Sequence, residues 1–135
     1  MHTVKNLITT IAAIFYLLFA SVVYAQNPRT VLLRESSRDC TLCDKFFYEI
    51  REQLARSATL KQATDNSPNF TVYLTAMQIQ DTPGPGDGNR LAYSLAISAP
   101  VGNLDAYRTS SVGVCGSLRL ESCARGIMAT ISSAR

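Results

Sequence analysis

FTVYLTAMQIQ, at residues 70–80, alternates apolar and polar side chains in the way that a half-buried strand does. A second alternating run, RLAYSLAISA, follows at residues 90–99. We expect the two runs to pair as an antiparallel hairpin whose larger side chains pack on helices. Beyond Ala76 the apolar positions change phase to Met77 and Ile79, which predicts a bulge or a strong twist near Ala76.

Two helical patterns flank this hairpin. The first runs from Thr41 to about Ala58, and Thr41 with Asp44 forms a variant of the capping box at its start. Its apolar stripe consists of Cys43, Phe46, Phe47, Ile50, Leu54 and Ala58. The second runs from an N-cap at Ser117 to about Ser133, and Gly126 inside it predicts the close approach of another element. Its stripe consists of Leu120, Cys123, Ile127 and Ile131.

The remaining segments are less regular. Residues 31–33 could be a strand or the edge of a helix, residues 61–69 form a polar connector, and residues 100–107 form a turn-rich crossing. Residues 109–114 could be a third strand. The sequence therefore predicts a small two-layer α+β domain at residues 26–135. In this domain a two- or three-stranded antiparallel sheet carries an N-terminal and a C-terminal helix on one face, and disulfides hold the helices in place.

The N-terminus has the pattern of a secretory signal peptide. Lys5 precedes a mostly apolar run from Leu7 to Val23, and small residues stand where a signal peptidase cuts after Ala25. We expect residues 1–25 to be removed, with retention as an anchor as the alternative. The prediction is a periplasmic or secreted protein without stable membrane insertion after cleavage.

Composition excludes several classes of function for the mature chain. Lys5 is one of 13 basic residues, so 12 remain against 10 acidic ones, and they are scattered along the chain instead of forming a basic stripe. We therefore expect no nucleic-acid partner. The single histidine, His2, lies in the predicted signal peptide. Its removal excludes Ser-His-Asp and Cys-His catalysis and mixed cysteine/histidine zinc sites. We predict no catalytic residue, no metal ligand and no cofactor.

Four cysteines in a short exported chain indicate two disulfides. The residues are Cys40, Cys43, Cys115 and Cys123. Three pairings are possible, and two of them join the first helix to the C-terminal segment. Because both apolar stripes carry cysteines, we favour one of these cross-linked patterns over the local pairing. A zinc site is the least favoured alternative, because seven residues separate Cys115 from Cys123 where such sites use two.

The Cys40-Thr41-Leu42-Cys43 stretch can also be interpreted as a redox-active C-x-x-C pair. A short strand, a turn, a C-x-x-C and a helix in that order locally resemble the redox corner of thioredoxin-like proteins. The resemblance implies a thiol-disulfide oxidoreductase in which the helix start lowers the pKa of Cys40. The flanking acids Asp39 and Asp44 oppose a thiolate, and only Ala99-Pro100 could match the cis-proline of that family. This function is the alternative prediction.

The hairpin offers the leading prediction. Its connection, DTPGPGDGN at residues 81–89, is longer than usual hairpin loops and has no apolar side chain to tether it. The candidate partner-binding residues are Asp81, Pro83, Gly84, Pro85, Gly86, Asp87, Gly88 and Asn89. A second candidate surface is the row of small residues Ala92, Ser94, Ala96 and Ser98. We predict a non-enzymatic exported module that binds another protein, as an inhibitor, immunity factor or assembly accessory does.

Overall fold

The computed structural model describes residues 27–38, 40–64, 67–80 and 89–134, which form one five-stranded mixed sheet and two helices. In chain order the elements are β1 (Arg29–Ser37), α1 (Thr41–Arg56), β2 (Leu60–Gln62), β3 (Phe70–Gln80), β4 (Asn89–Val101), β5 (Leu104–Gly116), a 3₁₀ turn (Ser117–Arg119) and α2 (Leu120–Ser133). The strand order is β2-β1-β3-β4-β5. Strand β1 runs parallel to β2 and β3, whereas β3, β4 and β5 form an antiparallel meander.

The predicted two- or three-stranded antiparallel sheet is wrong, because the sheet has five strands and is mixed. The hairpin itself is confirmed, with register from Thr71 opposite Ser98 to Gln80 opposite Asn89. What the prediction missed is the parallel part. Strand β1 continues to Ser37 because its backbone pairs with β3 along its length, although its second half is polar. Two of the three residues of β2, Lys61 and Gln62, lie in the predicted polar connector.

Strand β5 is also longer than expected. It starts at Leu104, so the predicted turn-rich crossing shrinks to the two residues Gly102 and Asn103. Gly102 has φ 62°, a left-handed conformation suited to a tight hairpin turn. The register irregularity lies at Ile97/Ser98, opposite β5, and the β3–β4 register is continuous through Ala76. The bulge predicted near Ala76 is therefore wrong.

Both helices pack on one face of the sheet and share a single core with it. Five residues of the predicted α1 stripe are buried, namely Cys43, Phe46, Phe47, Ile50 and Leu54. Helix α2 buries Ala124, Ile127 and Ile131. The sheet contributes Val31, Phe70, Val72, Leu74, Ala76, Leu91, Leu95, Ile97 and Cys115. The opposite face of the sheet carries no helix among the described residues.

The predicted start of α1 at Thr41 and the predicted end of α2 at Ser133 are confirmed, whereas the predicted caps and the predicted close approach at Gly126 are wrong. The N-cap of α1 is Cys40, whose Sγ accepts a hydrogen bond from the backbone N of Cys43 at 3.0 Å. Helix α2 begins only after the 3₁₀ turn that Ser117 opens, and no side chain caps it. Gly126 is exposed, and a Cβ there would meet nothing within 4 Å. No element of the described residues therefore approaches it closely.

Arg29 joins the two ends of the described chain. Its guanidinium donates hydrogen bonds to the carbonyl oxygens of Ser132 and Ala134, at 2.5 and 2.7 Å, and lies 5.1 Å from the ring centroid of Phe70. The last carbonyls of a helix lack backbone partners, and a cation is favoured there. Arg29 thereby anchors the end of α2 to the first residue of β1.

The disulfides join neighbours, Cys40 to Cys43 and Cys115 to Cys123, and the predicted cross-links between the two segments are wrong. The reason for the second bridge is local. Cys115 lies next to the end of β5, and the 3₁₀ turn reverses the chain so that the first turn of α2 returns beside it, with a Cα–Cα distance of 6.3 Å. The two bridges fasten the starts of α1 and α2 individually.

Candidate functional site: the open face of the sheet

The open face of β3, β4 and β5 contains an apolar groove of about 390 Å³. Its lining consists of Thr75, Ala76, Met77, Ala92, Tyr93, Ser94, Val112, Gly113 and Val114. Alternation along the strands places Thr75, Met77, Ala92, Ser94, Val112 and Val114 on this face. The side chains of Ala76 and Tyr93 face the helices together with Val72, Leu74, Leu91 and Leu95. We call this groove the sheet groove.

Side-chain size gives the sheet groove its shape. On the central strand β4, Ala92 and Ser94 are small and form the floor. Ala92 is paired with Met77 on β3 and with Val114 on β5. Ser94 is paired in the same way with Thr75 and Val112. The larger walls are exposed to solvent, with 63% for Met77, 81% for Val112 and 59% for Val114. An apolar surface of this kind on a soluble protein marks an interaction site when its residues are contiguous.

A rigid layer of aromatic side chains supports the groove from the helix side. Tyr93 is paired with Gly113, and an added Cβ at Gly113 would lie only 2.5 Å from the Tyr93 Oη. The Tyr93 ring therefore occupies the space that a side chain at Gly113 would need. The same ring packs against Phe46 of α1, with centroids 5.4 Å apart. This packing ties the backbone beneath the groove to the core.

A second recess on the same face is polar. It has a volume of about 610 Å³ and is lined by Leu32, Arg34, Ser67, Pro68, Asn69, Thr71, Tyr73, Pro100, Gly102 and Asp105. It lies toward the β4–β5 turn, whereas the sheet groove lies toward the other end of β4. Next to it, the Ser98 Oγ is buried and has no hydrogen-bond partner among the described residues.

The row of small residues predicted from the sequence lies on this open face. Ala92 and Ser94 line the sheet groove, Ala96 is half-buried, and Ser98 is buried. Residues 81–88 of the predicted binding loop lie outside the described part of the chain. The predicted signal peptide at residues 1–25 also lies outside it. Asn89, the last member of the predicted loop, is the first residue of β4. The apolar groove walls were not predicted from the sequence. The change of apolar phase at Met77 was a signal for them, because it places this side chain on the open face.

The cysteines do not form an open reactive centre. Cys40 is 4% exposed and Cys43 is fully buried, and the Ala99–Pro100 peptide bond is trans. All four sulfurs are in disulfides, so none remains to bind zinc. Two disulfides are typical of proteins that fold outside the cytoplasm.

Two ion pairs involve residues of α1. Glu35 of β1 pairs with Arg51 of α1, and Glu52 pairs with Arg56 at 3.0 Å. Burial raises the pKa of Glu35, and the charge and hydrogen bond of Arg51 oppose this rise. Among the described residues, no group of three or more metal-ligating side chains occurs. Neither described helix is long and apolar enough to span a membrane.

Comparisons with known proteins identify the fold but no family. No protein-family model matches the sequence, and no curated protein matches it in sequence. Among solved structures, a hypothetical protein from Chlamydia trachomatis is similar with a TM-score of 0.59 and 11% identity, covering 80% of this chain and 98% of that one. A DUF330 protein from Xanthomonas campestris has a TM-score of 0.55 and 6% identity, with 79% and 85% covered.

TolB from Acinetobacter baumannii is similar over part of its length. Its TM-score is 0.50 at 12% identity, and the match covers 79% of this chain but 28% of TolB. The chain shares a fold with these proteins. At such low identities the similarity concerns the fold alone, so the function has to be argued from the surface of this chain.

Proposed function

We propose that this protein is an exported, non-enzymatic protein-binding module of the inhibitor, immunity or assembly-accessory type. It acts in the periplasm or outside the cell, and it binds its partner on the open face of the sheet. The observation that carries the proposal is the sheet groove, in which two small floor residues, Ala92 and Ser94, lie between exposed apolar walls. A partner side chain placed on such a floor removes apolar area of both proteins from water, which is the main favourable term in protein association.

The chemistry of the groove supports a protein partner over a charged ligand. Among the described residues its lining includes no Asp, Glu, Lys or Arg, and the polar side-chain groups on this face are the hydroxyls of Thr75 and Ser94. Exposed apolar residues with few charges are typical of the core of protein interfaces. The hydroxyl groups can orient a bound segment through hydrogen bonds.

Site-specific photo-crosslinking tests the proposal. We expect a benzoylphenylalanine at Thr75, on the rim of the groove, to give a discrete adduct with one exported protein in the native host. The same probe at Lys45, exposed on the outer face of α1, is the matched control. Met77→Lys should abolish the Thr75 adduct, because it puts a charge on the groove wall. Equal adducts from both probe positions, or none from Thr75, would contradict the proposal.

The predicted loop enters the same experiment as a separate arm. Deletion of residues 84–88 should leave the described strands and the Met77 side chain in place, because it removes none of their residues. If the Thr75 adduct survives the deletion but not Met77→Lys, the face alone binds the partner. If the deletion also abolishes it, the loop contributes to binding as the sequence analysis predicted.

A thiol-disulfide oxidoreductase remains a second candidate, because the Cys40–Cys43 bridge at the start of α1 is the pairing that this activity requires. Burial of both sulfurs opposes it, since thiol-disulfide exchange needs access to the attacked sulfur. An insulin-reduction assay separates the two candidates. Activity that disappears with Cys40→Ser would favour the oxidoreductase, and absence of activity in the wild type would exclude it.

A further inference from the structure

Strand β5 is an open edge of the sheet. It pairs with β4 through 12 of its 13 residues on one side, Arg108 being left out at the register shift. No strand among the described residues pairs with its other side. Natural proteins protect such edges with short strands, charged side chains, prolines or bulges. The opposite edge, β2, has only three residues. Strand β5 contains no lysine and no proline, and its two charged residues and its bulge all lie before Thr109, so the segment from Thr109 to Gly116 has none of these features.

The exposed apolar side chains of the described chain concentrate on this edge. Six of the nine large ones lie on β5 or directly beside it, namely Val101, Leu104, Tyr107, Val112, Val114 and Leu118. Val112 and Val114 also form one wall of the sheet groove. A long apolar edge strand with unpaired backbone groups is a template for pairing with another strand.

We propose that β5 pairs with β5 of a second copy of this chain, antiparallel and centred on Val112. In this register Val112 lies opposite its own counterpart, and Ser110 lies opposite Val114. Ser110, Val112 and Val114 all lie on the open face, because β5 has a continuous register with β4 from Thr109 to Gly116. A twofold axis requires such a self-complementary surface, which the segment from Arg108 to Gly116 provides.

Charge and strand length favour a second copy in a closed pair. Arg108 is the only charged residue between positions 108 and 116, and it would lie opposite Gly116 of the other copy. The two arginines would stand roughly 27 Å apart at ~3.4 Å per residue, well beyond the screening length of about 10 Å. Propagation into a fibre would need β5 to pair with β2, which is too short for it. The result is one continuous sheet of two copies, with the two grooves on the same side.

Val112 also belongs to a wall of the sheet groove, so the dimer is tested on the purified chain alone, where no groove partner is present. Sedimentation equilibrium over a concentration series should give a reversible dimer for the wild type. Val112→Lys should weaken the dimer by about 100-fold, because it removes two valines from the interface and brings like charges together. The Val112 side chain is exposed in the single copy, so the fold should be unaffected. Tyr48→Lys, on helix α1, is the matched control and should leave the dimer constant unchanged.

Disulfide trapping tests the register. Val112→Cys should form a cross-linked dimer on mild oxidation, because directly opposed residues of paired strands have Cβ atoms ~5 Å apart. Leu118→Cys, which is more exposed but lies beyond the paired segment, should not. A wild type that stays monomeric at every concentration, a dimer that resists Val112→Lys, or equal trapping at both cysteines would overturn the proposal.

Discussion

The contact between Gly113 and Tyr93 allows a quantitative test of how the groove is supported. In Gly113→Ala the new methyl would lie 2.5, 2.6 and 2.8 Å from the Oη, Cζ and Cε1 atoms of Tyr93. Carbon atoms in contact are ~3.5 to 4 Å apart, so the ring has to move by about 1 Å. Its movement is restricted, because the same ring packs against Phe46.

The expected cost follows from two opposing effects. Overpacking of a well-filled site costs about 1–3 kcal/mol, and replacing glycine with alanine in a strand recovers about 0.5–1 kcal/mol of chain entropy. We therefore expect Gly113→Ala to lower the free energy of unfolding by about 1–2 kcal/mol. Urea unfolding followed by far-UV circular dichroism measures this change, since the chain has no tryptophan.

A double-mutant cycle and a matched glycine make the test specific. Tyr93→Leu removes the three atoms that meet the new methyl, so Gly113→Ala should be neutral or stabilising in that background. Gly116→Ala is the control, because a Cβ there meets nothing within 4 Å. The reasoning is refuted if Gly113→Ala costs the same with Tyr93 or Leu at position 93, or if Gly116→Ala is equally destabilising.

Three further predictions concern other parts of the chain. Burial raises the pKa of Glu35 above 4.5, so the folded state keeps a proton that the unfolded chain releases. The stability of the wild type relative to Glu35→Gln should therefore fall as the pH rises through the window between 4.5 and the raised value. Parallel pH profiles of urea stability for the two proteins would contradict this. Replacing Cys115 and Cys123 with serine should cost about 2.5 kcal/mol in the chain-entropy model, less than the ~4 kcal/mol of a long-range bridge, and guanidinium unfolding measures the difference. Gly102→Ala should lower the free energy of unfolding by about 1 kcal/mol, because a φ of 62° disfavours a residue with a Cβ. Thermal unfolding measures this change, with Gly116→Ala as the control.

The local patterns of the sequence were sufficient for the elements with strong periodicity. Alternation predicted β3 and β4 and their antiparallel pairing, and the helical stripe predicted α1 and its buried residues. The even cysteine count predicted two disulfides. The row of small residues from Ala92 to Ser98 was also visible, although the sequence alone did not place it beside the apolar walls of a groove.

The parallel part of the sheet and the disulfide pairing were decided by tertiary structure. Strand β1 is half polar and β2 has three residues, so neither has a strand pattern of its own, and both exist because their backbones pair with neighbours distant in the chain. The cysteines lie on two apolar stripes, which suggested cross-links, but the 3₁₀ turn after β5 brings Cys123 back to Cys115.

Local sequence pattern is enough to set the alternation of small and large residues on β3, β4 and β5. Only the register decided that Met77, Val112 and Val114 stand around Ala92 and Ser94, because cross-strand neighbours are set by pairing and not by local pattern. The position of β5 at the edge is likewise a property of strand order. The surface most suited to binding therefore arises where strong local patterns are assembled by long-range pairing.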